Sequence, residues 1–138
     1  DEAFSRVKMR THLDVLSADF GPSIVTGLVR SADMLRVDDQ ALEQLSVEHF
    51  RGAAISPYET SMAIEELEVL PVAIRTRLIK LLFDQLATVT RENSPLTHQH
   101  VMTIEALISR WSGQGEIALP LGVSAKREYG RLTLKRGN

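Results

Sequence analysis

Four histidines and eighteen acidic residues are the side chains here that could ligate a metal or move a proton, and their spacing favours neither task. His98 and His100 stand two apart on a predicted helix, where they point to different faces instead of converging as an i, i+4 pair does. His12 and His49 are remote in sequence, so solvated or capping roles account for all of them. Glu65, Glu66 and Glu68, or Asp38 and Asp39, could in principle hold magnesium or serve in acid–base chemistry. No nucleophile accompanies them, and charged helix faces explain them better. The absence of cysteine removes disulfides, thiolate metal sites and thiol nucleophiles. There is no Gly-x-Ser-x-Gly elbow. Ser112-Gly113-Gln114-Gly115 is the one candidate phosphate loop, but it follows a predicted helix instead of opening one, so neither amides nor dipole favour an anion there. No catalytic, cofactor or metal residue is assigned.

The cations are the remaining signal. Arg6, Lys8 and Arg10 cluster near the start; Arg75, Arg77 and Lys80 lie on one predicted helix. Lys126, Arg127, Arg131, Lys135 and Arg136 crowd the last strands. The formal charge of −2 hides this asymmetry, because residues 33–68 carry two basic and nine acidic side chains and residues 69–138 carry ten and five. A basic end can face an anionic partner, and phosphate contacts would give affinity with little sequence information. On charge alone a solvated mixed surface is the simpler account, since nucleic-acid domains are usually far more basic. Aromatics are few; Tyr129 is the plausible base-stacking platform, and Trp111 reads as core.

These residues need a scaffold, and apolar periodicity outlines one. A helix is expected over 2–18, ended by Gly21-Pro22. A second, opening at Pro22 or Ser23, carries Ile24, Leu28, Ala32, Leu35, Leu42 and Leu45 as a half-buried stripe to about 45 or 46. Residues 47–60 read as a loop with a short strand at 53–55, followed by a short helix over 61–69. A helix over 71–87 presents Ile74, Leu78, Leu81, Leu82 and Leu86 on one side, with Pro71 in its first turn. After a polar, mobile loop over 88–95, Thr97 is a natural N-cap for a helix through Trp111 that Gly113 would close. From Glu116 the period becomes alternating: Ile117 and Leu119, Val123 and Ala125, Leu132 and Leu134 mark three strands with turns at Pro120–Gly122 and Tyr129-Gly130. The class is α+β, a mostly helical body with a long leading helix and a small C-terminal antiparallel β-meander. No run approaches the roughly 18–20 apolar residues needed to span a bilayer.

Two stretches carry a resemblance. The first is Arg6-Val7-Lys8-Met9-Arg10, then Leu13, Leu16 and Phe20-Gly21-Pro22, leading into the Leu28–Leu45 helix. The second runs from Leu70-Pro71 through Arg75-x-Arg77-Leu78, Leu96-Thr97-x-x-His100-Val101 and Trp111-Ser112-Gly113-Gln114-Gly115. It closes with Leu119-Pro120-x-Gly122-Val123 and Arg127-x-Tyr129-Gly130-x-Leu132. In order and spacing these resemble the part of the tRNA(Ile)-lysidine synthetase family that follows its ATP domain. Leu13-Asp14 departs from the leucine-proline expected there, and the family's Ser-Gly-Gly-x-Asp-Ser ATP loop is missing.

The resemblance implies a parent ligase that uses ATP to adenylate C2 of the wobble cytidine of an isoleucine tRNA, after which lysine displaces AMP to give lysidine. ATP and magnesium would belong to an upstream ATP-pyrophosphatase-type domain of the same chain, preceding Asp1. On this reading residues 1–20 are a connector helix and 21–138 a tRNA-recognition domain without an active site. Arg6, Lys8, Arg10, Arg75, Arg77, Lys126, Arg127 and Arg131 are the expected contacts to a tRNA with a CAU anticodon. A cytoplasmic location is expected, with no membrane partner, and homodimerisation stays open. The rival reading is a helical protein-interaction or dimerisation module without RNA binding.

Overall fold

The computed structural model describes residues 2–137. Helix α1 spans Glu2–Phe20 and α2 spans Ser23–Phe50. Gly21 breaks them apart as expected: its φ of 89° is a left-handed conformation, and its amide bonds the carbonyl of Ser17 at 2.9 Å. The chain divides into two compact units, residues 1–41 and 42–138.

In the first unit partial burial is confined to Leu13, Leu16 and Ser17 of α1 and to Gly21, Ile24 and Val25 around the turn. The expected stripe of α2 is helical but largely uncovered there: Leu28 is 48% exposed and Leu35 68%. Periodicity reports which face is apolar, not whether anything lies on it. Leu35→Ser is therefore expected to change stability by no more than about 0.5 kcal/mol, as exposed substitutions do. A thermal melt checks this, and a loss of several kcal/mol would mean the stripe is covered.

The second unit is a five-stranded antiparallel sheet with helices on one face. Its strands are β1 (Ala54–Ile55), β2 (Glu59–Ala63), β3 (Ile117–Ala118), β4 (Val123–Glu128) and β5 (Arg131–Arg136), in spatial order β1-β2-β5-β4-β3. Helix α3 (Ile64–Glu68) follows β2. Helix α4 (Val72–Ala87) and helix α5 (His98–Ser109) pack on the sheet. The α+β class stands, but the sheet is more than a terminal meander, because β2 from before the helices pairs with β5. Residues 61–63, expected in a helix, are strand. The reason is tertiary: Thr60 faces the helices and donates its hydroxyl to the Leu82 carbonyl at 3.1 Å, so a polar residue occupies a core position and hides the alternation.

Ile74, Leu78, Ile79, Leu82, Phe83 and Leu86 of α4 interdigitate with Val101, Ile104, Leu107 and Ile108 of α5 and with Met62, Val123, Ala125, Leu132 and Leu134 of the sheet. Thr97 caps α5 as expected, accepting from the His100 amide at 3.2 Å. The His100 ring accepts the Thr97 amide at 3.0 Å, closing a reciprocal capping box with histidine in the usual Glu/Gln place. Helix α5 ends earlier than expected, with Arg110 as its C-cap. Gly113 (φ 81°) lies beyond it in the following loop. Among the described residues no helix is long and apolar enough to cross a membrane.

Candidate RNA-binding surface

Strand register sorts the cations of the β4–β5 hairpin. Side chains alternate across a strand, and Arg127 pairs with Leu132 while Lys126 pairs with Thr133. Arg127 therefore faces the helices, where its Nη1 donates to the Leu107 carbonyl of α5 at 3.0 Å. Lys126, Arg131 and Lys135 share the opposite, outer face with Glu59, Ser61, Ser124, Glu128 and Thr133.

That outer face is a lattice of alternating charge. Lys126 Nζ lies 2.6 Å from Glu128, Lys135 Nζ 3.2 Å from Glu128 and 3.6 Å from Glu59. Arg131 donates through Nε to the Ser61 hydroxyl at 3.0 Å and through Nη2 to the Ser61 carbonyl at 3.3 Å. The hydrogen bond from Lys126 holds the Glu128 carboxyl below the ordinary carboxylate range, with Lys135 assisting. The hydrogen bond to Glu128 holds the Lys135 ammonium above its ordinary value. The signs are opposite and the window follows. What Glu128 contributes is present above its unfolded pKa and lost as pH falls through the lowered folded one. What Lys135 contributes is present below the ordinary lysine value and lost as pH rises through the raised one. The lattice is thus intact across neutral pH, and any binding through it should be flat there.

Both arginines of α4 are committed to the body. Arg75 forks onto Glu105 of α5, with Nε at 2.9 Å and Nη2 at 2.6 Å from Oε1, and donates Nη1 to the Leu70 carbonyl at 2.8 Å. Arg77 donates to the Ala73 carbonyl at 2.9 Å and lies 3.7 Å from Glu43 of α2, which also pairs with Arg91. On α1, Arg6, Lys8 and Arg10 are exposed, and Arg6 pairs loosely with Glu2 at 3.5 Å.

The expected contacts therefore fall into three settings: Lys126 and Arg131 together on the outer sheet face, Arg127 on the helix side, and the rest on helices. Lys135 completes the outer face; its register against Glu59 and Ser124 is the signal that selects it. Trp111, read as core, is 41% exposed, and the Arg127 guanidinium lies 5.1 Å from its ring centroid. Tyr129 is 96% exposed.

The Ser112–Gly115 loop does not suit a phosphate group. The Ser112 amide is taken by the Gln114 side chain at 2.7 Å, and this loop follows a helix C-terminus, whose dipole repels phosphate. No group of three or more potential metal ligands occurs among the described residues.

Comparison with known proteins matches residues 62–133 to the family model described as TilS substrate binding domain. The chain is 37% identical over 136 residues to a tRNA(Ile)-lysidine synthase of Leifsonia xyli subsp. xyli, covering 96% of this chain and 39% of that protein. It is 34% identical over 140 residues to the synthase of Nocardia farcinica (96% and 41%) and 31% identical over 134 residues to that of Salinispora tropica (96% and 39%). The chain thus spans about two fifths of the length of these curated relatives. The resemblance read from the sequence is borne out.

Proposed function

This chain belongs to the TilS substrate binding domain family, and from that premise we propose that it is the tRNA-gripping part of a tRNA(Ile)-lysidine synthase. The parent would be an ATP-dependent ligase of the cytoplasm that converts the wobble cytidine of an isoleucine tRNA with a CAU anticodon to lysidine. ATP and magnesium would be held by the part of the relatives' length that this chain does not span, and no step of the chemistry is assigned to the residues described above. Their task is positioning: binding energy from a remote surface becomes orientation at the reacting atom.

The observation that carries this reading is the outer sheet face, where Lys126 and Arg131, inside the matched segment, and Lys135, two residues beyond it, present cations on rigid strands. Exposed Arg6, Lys8 and Arg10 would add contacts of their own from α1. The test is a salt series of binding to the CAU isoleucine tRNA, with initiator methionine tRNA as competitor. Affinity should fall steeply with salt, by about 0.7–0.9 logarithmic units per logarithmic unit for each phosphate contact, and should favour the isoleucine tRNA. Salt-insensitive association, or none, overturns the gripping role.

The charge lattice makes a sharper prediction. Glu128 pairs with both Lys126 and Lys135, so Glu128→Gln should release Lys126, leave Lys135 with Glu59 alone, and raise tRNA affinity roughly threefold, a fraction of a kcal/mol being typical for exposed pairs. A steeper salt slope should accompany the gain, and weaker binding would show that the lattice must stay paired to work.

The exposed apolar residues of α1 and α2 favour a second role for this same chain, contact with protein. Phe4 and Phe20 are each 69% exposed and Leu35 68%, apolar side chains in water that a protein partner would cover. We assign that surface to the ATP domain of the parent, in keeping with a connector over residues 1–20. A tRNA-independent, salt-insensitive association of the chain with that domain, lost in a Phe4→Glu, Leu35→Glu variant, would support the assignment.

A further inference from the structure

We propose that Tyr129, Trp111 and the Arg127 guanidinium form a stacking platform for unpaired RNA bases beside the β4–β5 turn. The proposal rests on the RNA-binding reading above and names the part of the RNA that this surface takes.

Tyr129 is the oddest residue in the second unit. Glu128 and Arg131 are the last paired residues of the hairpin, so Tyr129-Gly130 is a two-residue connection with φ of 51° and 70°. Such a turn needs positive φ at both positions and is ordinarily filled by Asn, Asp or Gly. A tyrosine there costs about 1 kcal/mol or more in backbone strain. Its ring recovers nothing by packing, because the residue is 96% exposed. Neither the turn nor the core accounts for an aromatic ring at this point. The support beneath it is firm, since the Gly130 carbonyl accepts the Ile64 amide at 2.9 Å.

Trp111 supplies a second ring, brought to strand β4 by Arg127. Arg127, two residues before Tyr129, lies over the indole at 5.1 Å and is tethered by its bond to the Leu107 carbonyl. The loop carrying Trp111 is stapled by Gln114, whose side chain accepts the Ser112 amide and donates to the Arg110 carbonyl, both at 2.7 Å. The exposed Trp111 ring therefore meets one fixed guanidinium, and Tyr129 stands two residues beyond that arginine at the hairpin turn, with exposed Arg110 next to Trp111 in sequence. Every base has a π-face, so such a set takes bases with little regard to identity. Bases inside a duplex are already stacked, which restricts the ligand to unpaired nucleotides of a folded RNA.

Trp111 is the only tryptophan in the chain, so its fluorescence reports this site alone. The 138-residue chain is titrated with a single-stranded oligoadenylate of about ten nucleotides, with a blunt RNA duplex, and with tRNA followed independently by anisotropy of a label on the tRNA. Saturable quenching is expected with the oligoadenylate and not with the duplex. Tyr129→Ala should weaken oligoadenylate binding about tenfold, the usual loss for one stacked base, without altering the salt slope or the melting temperature. Tyr129→Phe should retain the affinity. Normal tRNA binding with unchanged tryptophan emission and no effect of Tyr129→Ala would overturn the platform and leave the gripping role standing. Absence of RNA binding in every arm would overturn both.

Discussion

Replacing Arg75 by alanine is expected to lower the free energy of unfolding by about 3–5 kcal/mol, the range seen when one partner of a buried ion pair is removed. The Glu105 side chain is 5% exposed. Its Oε1 receives both Nε and Nη2 of Arg75, and its Oε2 receives the Ser109 hydroxyl at 2.9 Å. Alanine at 75 would leave a carboxylate out of water with one hydroxyl for company. It would also release the Leu70 carbonyl, which Arg75 Nη1 binds. For a domain of this size the melting temperature should fall on the order of 20 °C. Lysine at 75 should recover only part of the loss, because a point charge cannot fork onto Oε1 and still reach Leu70. Arg75→Met combined with Glu105→Leu should cost far less than Arg75→Ala alone, since no charge is then stranded. A single-variant drop under about 5 °C would mean that the pair does not hold α4 to α5. The consequence for function is direct: weakened tRNA binding in Arg75→Ala cannot be assigned to a lost phosphate contact until the melt has been compared.

Arg75 shows what a single sequence does and does not disclose. Helices α1, α2, α4 and α5 and the β4–β5 hairpin were legible because their signals are local: apolar residues at helical or alternating steps, Gly21 and Thr97 at boundaries, Tyr129-Gly130 between two short strands. Partners were not. Glu105 lies 30 residues from Arg75, and only the packing of α5 on α4 brings the two together. Strand β2 was hidden for the same reason, since its identity comes from pairing with β5 and one of its two core positions is a threonine. Trp111 misled in the other direction. Its spacing continues the apolar face of α5, but the helix stops at Ser109, and the ring that periodicity would bury is left partly in solvent. The candidate cations were thus readable as residue types. Their division into body-holding and outward-facing sets is a property of register and helix packing.

That division predicts the largest change in binding. Lys126→Gln, Arg131→Gln and Lys135→Gln together should weaken tRNA binding by roughly 10–100-fold near 0.1 M salt, at about 0.5–1 kcal/mol for each partly exposed charge. The salt slope should fall by about two if all three meet phosphates. The upper end is favoured by what remains, because Glu59 and Glu128 would then face the RNA with no cation between them. Stability should move little, since the pairs removed are partly exposed and the core lies on the other face of the sheet. The matching triple on α1, Arg6→Gln, Lys8→Gln and Arg10→Gln, divides the remaining cases. If the sheet triple leaves affinity within threefold and the α1 triple abolishes binding, the RNA lies along the leading helix and the charge lattice only stiffens the hairpin. If both weaken binding and their effects add, each unit makes its own contacts with the tRNA. This chain would then grip by many separate contacts more than by density of charge, which is how a molecule of net charge −2 can hold a polyanion.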